Sequence, residues 1–457
     1  MDPKSRTLDV QTALGTLPPL WDRRVIFVAN LLGLFFGNDQ ETGVLRNQVG
    51  PLETYGGRLI PLLGLLYRGR SPNLAVLEQD PDVSLLDYFD TCLRLDLPEV
   101  AVLSHEDYQA LPVQNAGDSP ELTRFLERVK GHPAEWLDGF VTDACLAHLA
   151  QRLGRSTVSS QESSRSGNNK LLLHQHLVAS GLPTFDTCIA ESAADVSRCL
   201  ASLRRQGYRS AAIKAQIGAS GIGLARFPTD HAGDIPDYLF YEGACLVQGW
   251  MDDSCEGIES VRSPSVQLFL NDNTLHLYDL TDQILSEESV HEGNLAAPPW
   301  MDEDPEARGE LVKQAQVAGT WLHRQGYRGT ASVDFHVADR GGRREVRICE
   351  INARVTGATY PSVLARHFRP GGRWLMRNLK FGEPQTGQTL LETLEEAELL
   401  FHPGMSHAIL PINFNTRPDQ RVVKGQFLCL GDTVEELWSL LDEARHLLPV
   451  KGEFDRD

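Results

Sequence analysis

The sequence predicts a mixed chain, α/β in its first third and α+β beyond, built from several packed units. Three observations lead there. Short apolar runs alternate with helix-like segments up to about residue 150. A strand-rich stretch with period-two patterning follows from about 265. Two paired strand-like runs then close the 326–357 region around a charged glycine turn. The length, 457 residues, allows roughly three domains of ordinary size. At 41% hydrophobic and 23% charged, the chain can bury real cores and is not disordered.

The bulk properties also exclude. A formal charge of −19 argues against nucleic acid or an anionic membrane surface as the main partner. It leaves room for a polyanionic small ligand in a locally basic pocket. The eight cysteines (92, 145, 188, 199, 245, 255, 349 and 429) show no CxxC spacing, so neither zinc nor thiol-redox chemistry is expected. They fit reduced, buried thiols in a cytoplasmic protein. The most apolar stretch, VIFVANLLGLFF (25–36), falls short of the roughly 20 residues a bilayer requires. Arg23-Arg24 precedes it without a small-residue cleavage site, so no signal peptide is expected.

In chain order, residues 1–20 read as a loose arm. VIFVAN (25–30) is a buried strand. LIPLLGLLY (59–67) suggests a helix, and LAVLEQD (74–80) and VAVLS (100–104) two further strands, giving a small α/β sheet unit over roughly 20–150. STVSSQESSRSGNN (156–169), polar and short-sided, reads as a linker or mobile loop. KLLLHQHLVASGLPT then has helical spacing that stops at Gly181 and Pro183. A second α/β region runs from about 184 to 250, and strands cover 265–285. A helix over 305–326 leads into the paired strands. In the tail, TVEELWSLLDEARHLL (433–448) is an amphipathic helix.

Four segments carry the chemistry. In ASVDFHV and EVRICEINARV, Asp334 faces inward, and Glu350, Asn352 and Arg354 alternate and share one face. Two carboxylates and an amide oxygen form a hard ligand set suited to Mg2+. Arg354 aims a planar fork at a carboxylate or phosphate. The ordinary alternative is a solvated sheet face. AAIKAQIGASGIGLARF (211–227) places Lys214 ahead of Gly218, Ser220, Gly221 and Gly223, strand to strand. This is neither GxxxxGK[ST] nor GxGxxG, but it could close over phosphates. A plain glycine turn is its alternative. Lys170 opens a helix, where a cation could touch a phosphate or simply be solvated. CLVQGWMDDSCEG (245–257) reads as a hinge strand whose backbone, Gln248, Gly249 and Trp250 could meet adenine, with Glu256 on ribose. Otherwise it is an edge strand and a polar turn. Asp282 and Gln283 either reach the reacting groups or only end a strand. His291 and His336 are available as bases, and neither is assigned.

Taken in order, two lysines, a glycine hairpin, a hinge strand, an Asp and Glu-x-Asn-x-Arg resemble the ATP-grasp superfamily over about 165–380. That resemblance implies a Rossmann-like pre-ATP-grasp domain (20–155), a two-lobed ATP-grasp domain (165–384, hinge near 248) and a small C-terminal domain (385–457). It implies ATP and Mg2+ as cofactors. Lys170, Lys214 and the 218–223 hairpin would hold phosphates, and Gln248, Gly249, Trp250 and Glu256 the nucleoside. Asp334, Glu350 and Asn352 would hold the metal, with Arg354 and Lys214 at the chemistry. The family phosphorylates a carboxylate, and an amine then attacks the acyl phosphate. PSVQLFL…LYDLTDQIL (264–285) looks like the matching strands of the pheganomycin-type peptide ligases. SVHEGNLAAPP (289–299) departs from the Gly-Gln-rich segment expected there, which leaves donor and acceptor specificity around 285–300 open. The implied partners are a small-molecule carboxylate and an amino-acid or peptide amine, and relatives of this kind are often homodimers. Two alternatives remain: an ATP-grasp ligase of another biosynthetic pathway, and a catalytically silent nucleotide-binding protein.

Overall fold

Three sheets organise the chain. The computed structural model describes residues 8–49, 52–68, 73–112, 117–253, 255–285 and 291–451. The first sheet is parallel throughout, in the order Glu99–Val102, Leu74–Leu77, Val25–Val28, Trp136–Gly139, Ser156–Thr157. Val25–Val28 and Leu74–Leu77 are buried at every position, as expected of strands covered on both faces. Their continuous apolar runs made them legible. The helices on this sheet start at side-chain caps: Ser119 caps Pro120–Lys130 and Asp143 caps Ala144–Leu153.

The second sheet is antiparallel, ordered Thr187–Ala190, Cys245–Gly249, Ser210–Ala219, Ile222–Pro228, with helix Ala193–Arg205 against it. The third has ten strands. Its main path runs Ser260–Arg262, Gly329–Arg340, Pro264–Leu270, Thr274–Leu285, His291–Ala296, Arg373–Thr386, Arg421–Gly431, Ala408–Thr416, and Arg343–Asn352 pairs with Gly329–Arg340 off that path. The strands of the 385–457 tail therefore belong to the same sheet as the paired acidic strands. The tail helix Val434–Leu447 opens on a capping box formed by Thr433 and Glu436. No helix among the described residues is long and apolar enough to cross a membrane.

Two expectations fail. From residue 8 the opening arm is not loose: Asp9–Thr12 pairs in parallel with Thr274–Leu277, and the Gly15 N–H donates to the Tyr278 carbonyl at 2.8 Å, while residues 1–7 lie outside the described residues. Its backbone, not its exposed side chains, makes these bonds, so hydropathy could not reveal it. The serine-rich segment is not a mobile loop either. Gln161–Gly167 is a helix capped by Ser160, and Ser163, Ser164 and Asn168 are buried. Short polar side chains serve there as caps and bridges. Ser164 Oγ accepts from the Thr142 N–H, and Ser159 Oγ donates to the Arg328 carbonyl, tying the first sheet to the third. Residues 286–290, part of the segment expected to set specificity, lie outside the described residues.

Candidate active site

The paired strands place their acids face to face. Asp334 sits directly opposite Glu350, and Ser332 opposite Asn352, with a register irregularity just after Asp334. Two carboxylates opposed across a ladder repel. Asn352, 4% exposed, donates from Nδ2 to Asp334 Oδ2 (2.9 Å) and to Glu350 Oε1 (3.3 Å). Ser265 and Ser332 donate to the other Asp334 oxygen at 2.7 and 3.2 Å. Burial, then the Glu350 charge, pushes Asp334 up to about 6. Burial works the same way on Glu350, but Lys170, Arg354 and Lys214 together outweigh it and hold that carboxyl at about 2.

Lys170 supplies the nearest cation. Asn169 caps its helix through the Leu172 N–H (2.9 Å) and donates to Gln216 Oε1 on the Lys214 strand (2.7 Å). From that first turn Lys170 Nζ reaches Glu350 Oε2 at 2.9 Å and the Gly218 carbonyl at 3.3 Å. One lysine thus spans the acidic strand and the glycine hairpin, at a helix N-terminus that itself favours anions. Lys214 stands over the Phe185 ring at 5.5 Å, and burial lowers its pKa, with Lys170 adding to the effect. Arg354 is held from behind: its guanidinium donates to Asn168 Oδ1, which also accepts from the Ala353 N–H at 3.1 Å.

These groups line two neighbouring cavities that share Cys349. The larger, about 590 Å3, is bounded by Ser220, Gly221, Trp250, Gln283, Asp334, Glu350, Asn352 and Arg354, and also by Tyr55, Arg58, His291 and Asn294. The smaller is a slot of about 10 Å3 between Lys170, Phe185, Lys214 and Gln248. That is far below the roughly 300 Å3 of a typical ligand pocket, so adenine could enter only if the lobes parted. Gln248 points a buried, unpartnered Oε1 at this slot while its Nε2 donates to Thr187 Oγ1.

Other candidates stand elsewhere. Gly249 packs under the Tyr208 ring, where a Cβ would lie 2.5 Å from it. Glu256 is exposed on a turn and lines neither cavity. Gly218 and Gly223 shape the hairpin from behind, at φ +80° for Gly223. Asp282 accepts from Trp300 Nε1 at 2.9 Å and lines neither cavity. His336 is turned to the Met251 carbonyl at 2.9 Å, whereas His291 faces the large cavity. Sequence reasoning did not find Asn168, Asn294, Tyr55 or Arg58. The buried polarity of 156–169 was the one available signal for Asn168.

No protein-family model matches the chain. It is 22% identical over 305 residues to the butirosin acyl-carrier protein–L-glutamate ligase of Niallia circulans, and that match spans 65% of this chain but only 64% of the relative's length. Over 94% of this chain and 38% of theirs, it superposes on Rhizobium etli pyruvate carboxylase with TM-score 0.55 and 13% identity. With the N5-carboxyaminoimidazole synthase of Aspergillus clavatus, solved with ADP and 5-aminoimidazole ribonucleotide, the TM-score is 0.52 at 12% identity, covering 93% of this chain and 100% of that one. This chain has the ATP-grasp fold. The parallel sheet precedes it, as the resemblance implied, and residues of the first unit help the other two sheets to line the larger cavity.

Proposed function

We propose that the protein is an ATP-dependent carboxylate–amine ligase, working through an acyl phosphate in peptide or specialised-metabolite biosynthesis. The observation that carries this reading is the Lys170–Glu350 pair. It joins the helix start, the hairpin and the Glu-x-Asn-x-Arg strand beside one cavity of about 590 Å3. Lys170, Lys214 and the hairpin would take the phosphates. Phosphoryl transfer needs placement and charge neutralisation more than covalent help, and this chain supplies both.

The acidic set fits a divalent cation. Asp334 and Glu350 face each other across the ladder, and no cation contacts Asp334 directly among the described residues. The Asn352 amide would turn so that its oxygen joins theirs. Among the described residues no group of three or more His, Cys, Asp or Glu side chains gathers as for a metal, so the site depends on that amide and on phosphate oxygens. Mg2+ there would neutralise phosphate charge. Arg354 would orient the carboxylate under attack.

The curated relative's name couples glutamate with an acyl-carrier protein, which favours glutamate or a similar amino acid as the activated acid. It also raises a second reading, in which a carrier protein replaces the free amine as acceptor. The resemblance of the 264–285 strands to the pheganomycin-type peptide ligases favours the first reading, with a free amino-acid or peptide amine as acceptor. The test is ADP release with Mg2+, scored against amino-acid pools and by mass spectrometry for condensation products. Release that requires both a carboxylate and an amine supports the ligase. Release only with a carrier protein supports the second reading. ATP binding without turnover supports a catalytically silent protein.

A further inference from the structure

Arg58 lines the large cavity and has no part in the nucleotide chemistry above. It lies in the 3-10 stretch Leu52–Leu59 of the first unit and is 4% exposed. Its guanidinium is sandwiched between aromatic faces, with Cζ 3.5 Å from the Tyr55 ring centroid and 4.2 Å from that of Tyr360. Among the described residues it makes no ion pair, and its buried Nε has no hydrogen-bond partner. An arginine is charged at any working pH, and a buried one is normally paired. The ring faces offset part of its desolvation, but no acid among the described residues neutralises it and Nε keeps no partner.

The surroundings are cationic as well. Lys424 is pushed down to about 8, by burial first and then by Arg58 and Lys380. The acid nearby, Glu292, is engaged by Arg377 at 2.9 Å. Burial holds His291 below the usual imidazole range against the opposing Asn294 hydrogen bond, with Arg58, Lys424 and Arg377 adding to the lowering. Its Nε2 lies 2.7 Å from Asn294 Oδ1. Gly357 makes room for this ring, since a Cβ there would come within 2.8 Å of it. Arg58 and the unpartnered Asn294 Nδ2 therefore offer donors, Tyr55 an aromatic surface, and His291, donating from Nε2 to Asn294, an acceptor nitrogen, all in the lining of the cavity that Arg354 also lines.

We propose that Arg58 receives a second carboxylate, one that is not activated, on an amino-acid or peptide substrate. A planar fork with no protein acid against it among the described residues, on a side chain that lines the cavity, suits a bidentate carboxylate. The proposal rests on the ligase reading only in assigning the reacting carboxylate to the Arg354 side. The seated group belongs either to the acid that is activated or to the incoming amine, and the substrate-specific arms below separate the two.

The test begins with binding. ADP-loaded protein is titrated calorimetrically with a panel of L-amino acids and dipeptides and with their carboxamide counterparts. The wild type should prefer a free carboxylate over its amide by on the order of 10- to 100-fold, the worth of a charge-assisted pair. Arg58→Met should lose that preference while binding ADP as the wild type does. Arg58→Ala should regain affinity when guanidinium ion is added, a rescue that a misfolded variant cannot show. A wild type that does not distinguish acid from amide overturns the proposal, and so does an Arg58→Met protein that keeps the distinction. Where turnover is measurable, KM should rise for the acid or for the amine according to which carries the carboxylate. Carboxylate discrimination without ADP release would leave Arg58 assigned and remove the ligase reading.

Discussion

Glu350 is the residue on which the site's charges balance. Lys170 touches it, Asn352 donates to it, and Asp334 faces it. Glu350→Gln removes the anion and keeps the shape. Turnover should fall at least about 100-fold, the scale of losing one oriented electrostatic group, while nucleotide still binds more weakly, as checked by ADP release beside a nucleotide titration. Asn168 acts one step back. It fixes Arg354 and the Ala353 backbone with Oδ1, and its Nδ2 donates to the Ser164 carbonyl at 2.8 Å. Asn168→Ala should cost about 1–3 kcal/mol of stability in denaturant unfolding and lower kcat more than it raises KM for ATP. At this scale the sequence was only partly legible. Glu350 and Asn352 follow strand alternation, whereas Arg354, expected on the same strand, lies two residues past its end at Asn352. Arg58 and Tyr55 sit in a 3-10 stretch with no such period, so spacing could not assign them to the same cavity.

Between elements, the hairpin is braced by a helix from the first unit. Glu41, on Asp39–Val49, lies so close to Gly223 that a Cβ there would approach its Oε1 to 2.6 Å. Gly223→Ala therefore forces a left-handed φ on alanine and pushes on the brace; KM for ATP should rise several-fold by steady-state assay. Glu41 itself, buried with both oxygens unpartnered, is raised to about 8 by burial first and then by Glu242. An acid whose folded value is raised keeps its proton in the fold. Its contribution is complete below the unfolded value near 4.5 and is lost as pH climbs through about 8. The melting temperature should therefore fall between pH 6 and pH 9. Glu41→Gln, neutral throughout, should flatten that fall, as read by scanning fluorimetry. The strands and long helices here were readable from their periodicity. The docking of this helix on the hairpin was not, because nothing local in either segment encodes a contact nearly two hundred positions away.

For the whole molecule, the opening strand is a structural member. Removing residues 1–16 would leave the Thr274–Leu277 edge unpaired. We expect a melting temperature lower by about 3 °C or more and concentration-dependent association through the bare edge. Fold class was legible because its signals are repeated: buried parallel runs first, alternating strands later. Sheet membership was not, since Asp9–Thr12 and the tail strands join by backbone pairing that side-chain pattern does not record.

The ten strands from Ser260–Arg262 to Ala408–Thr416 hydrogen-bond as one piece, whereas Thr187–Gly249 carries a separate four-stranded sheet. Like the parallel first sheet, that smaller plate shares no ladder with the large one. It is latched to the first unit by Tyr241 Oη on the Gly37 carbonyl (3.0 Å) and by Asn38 Nδ2 on the Tyr238 carbonyl (3.4 Å). A swing of that plate would have to break those two bonds together with the Asn169–Gln216 link and the Lys170 reach to the Gly218 carbonyl.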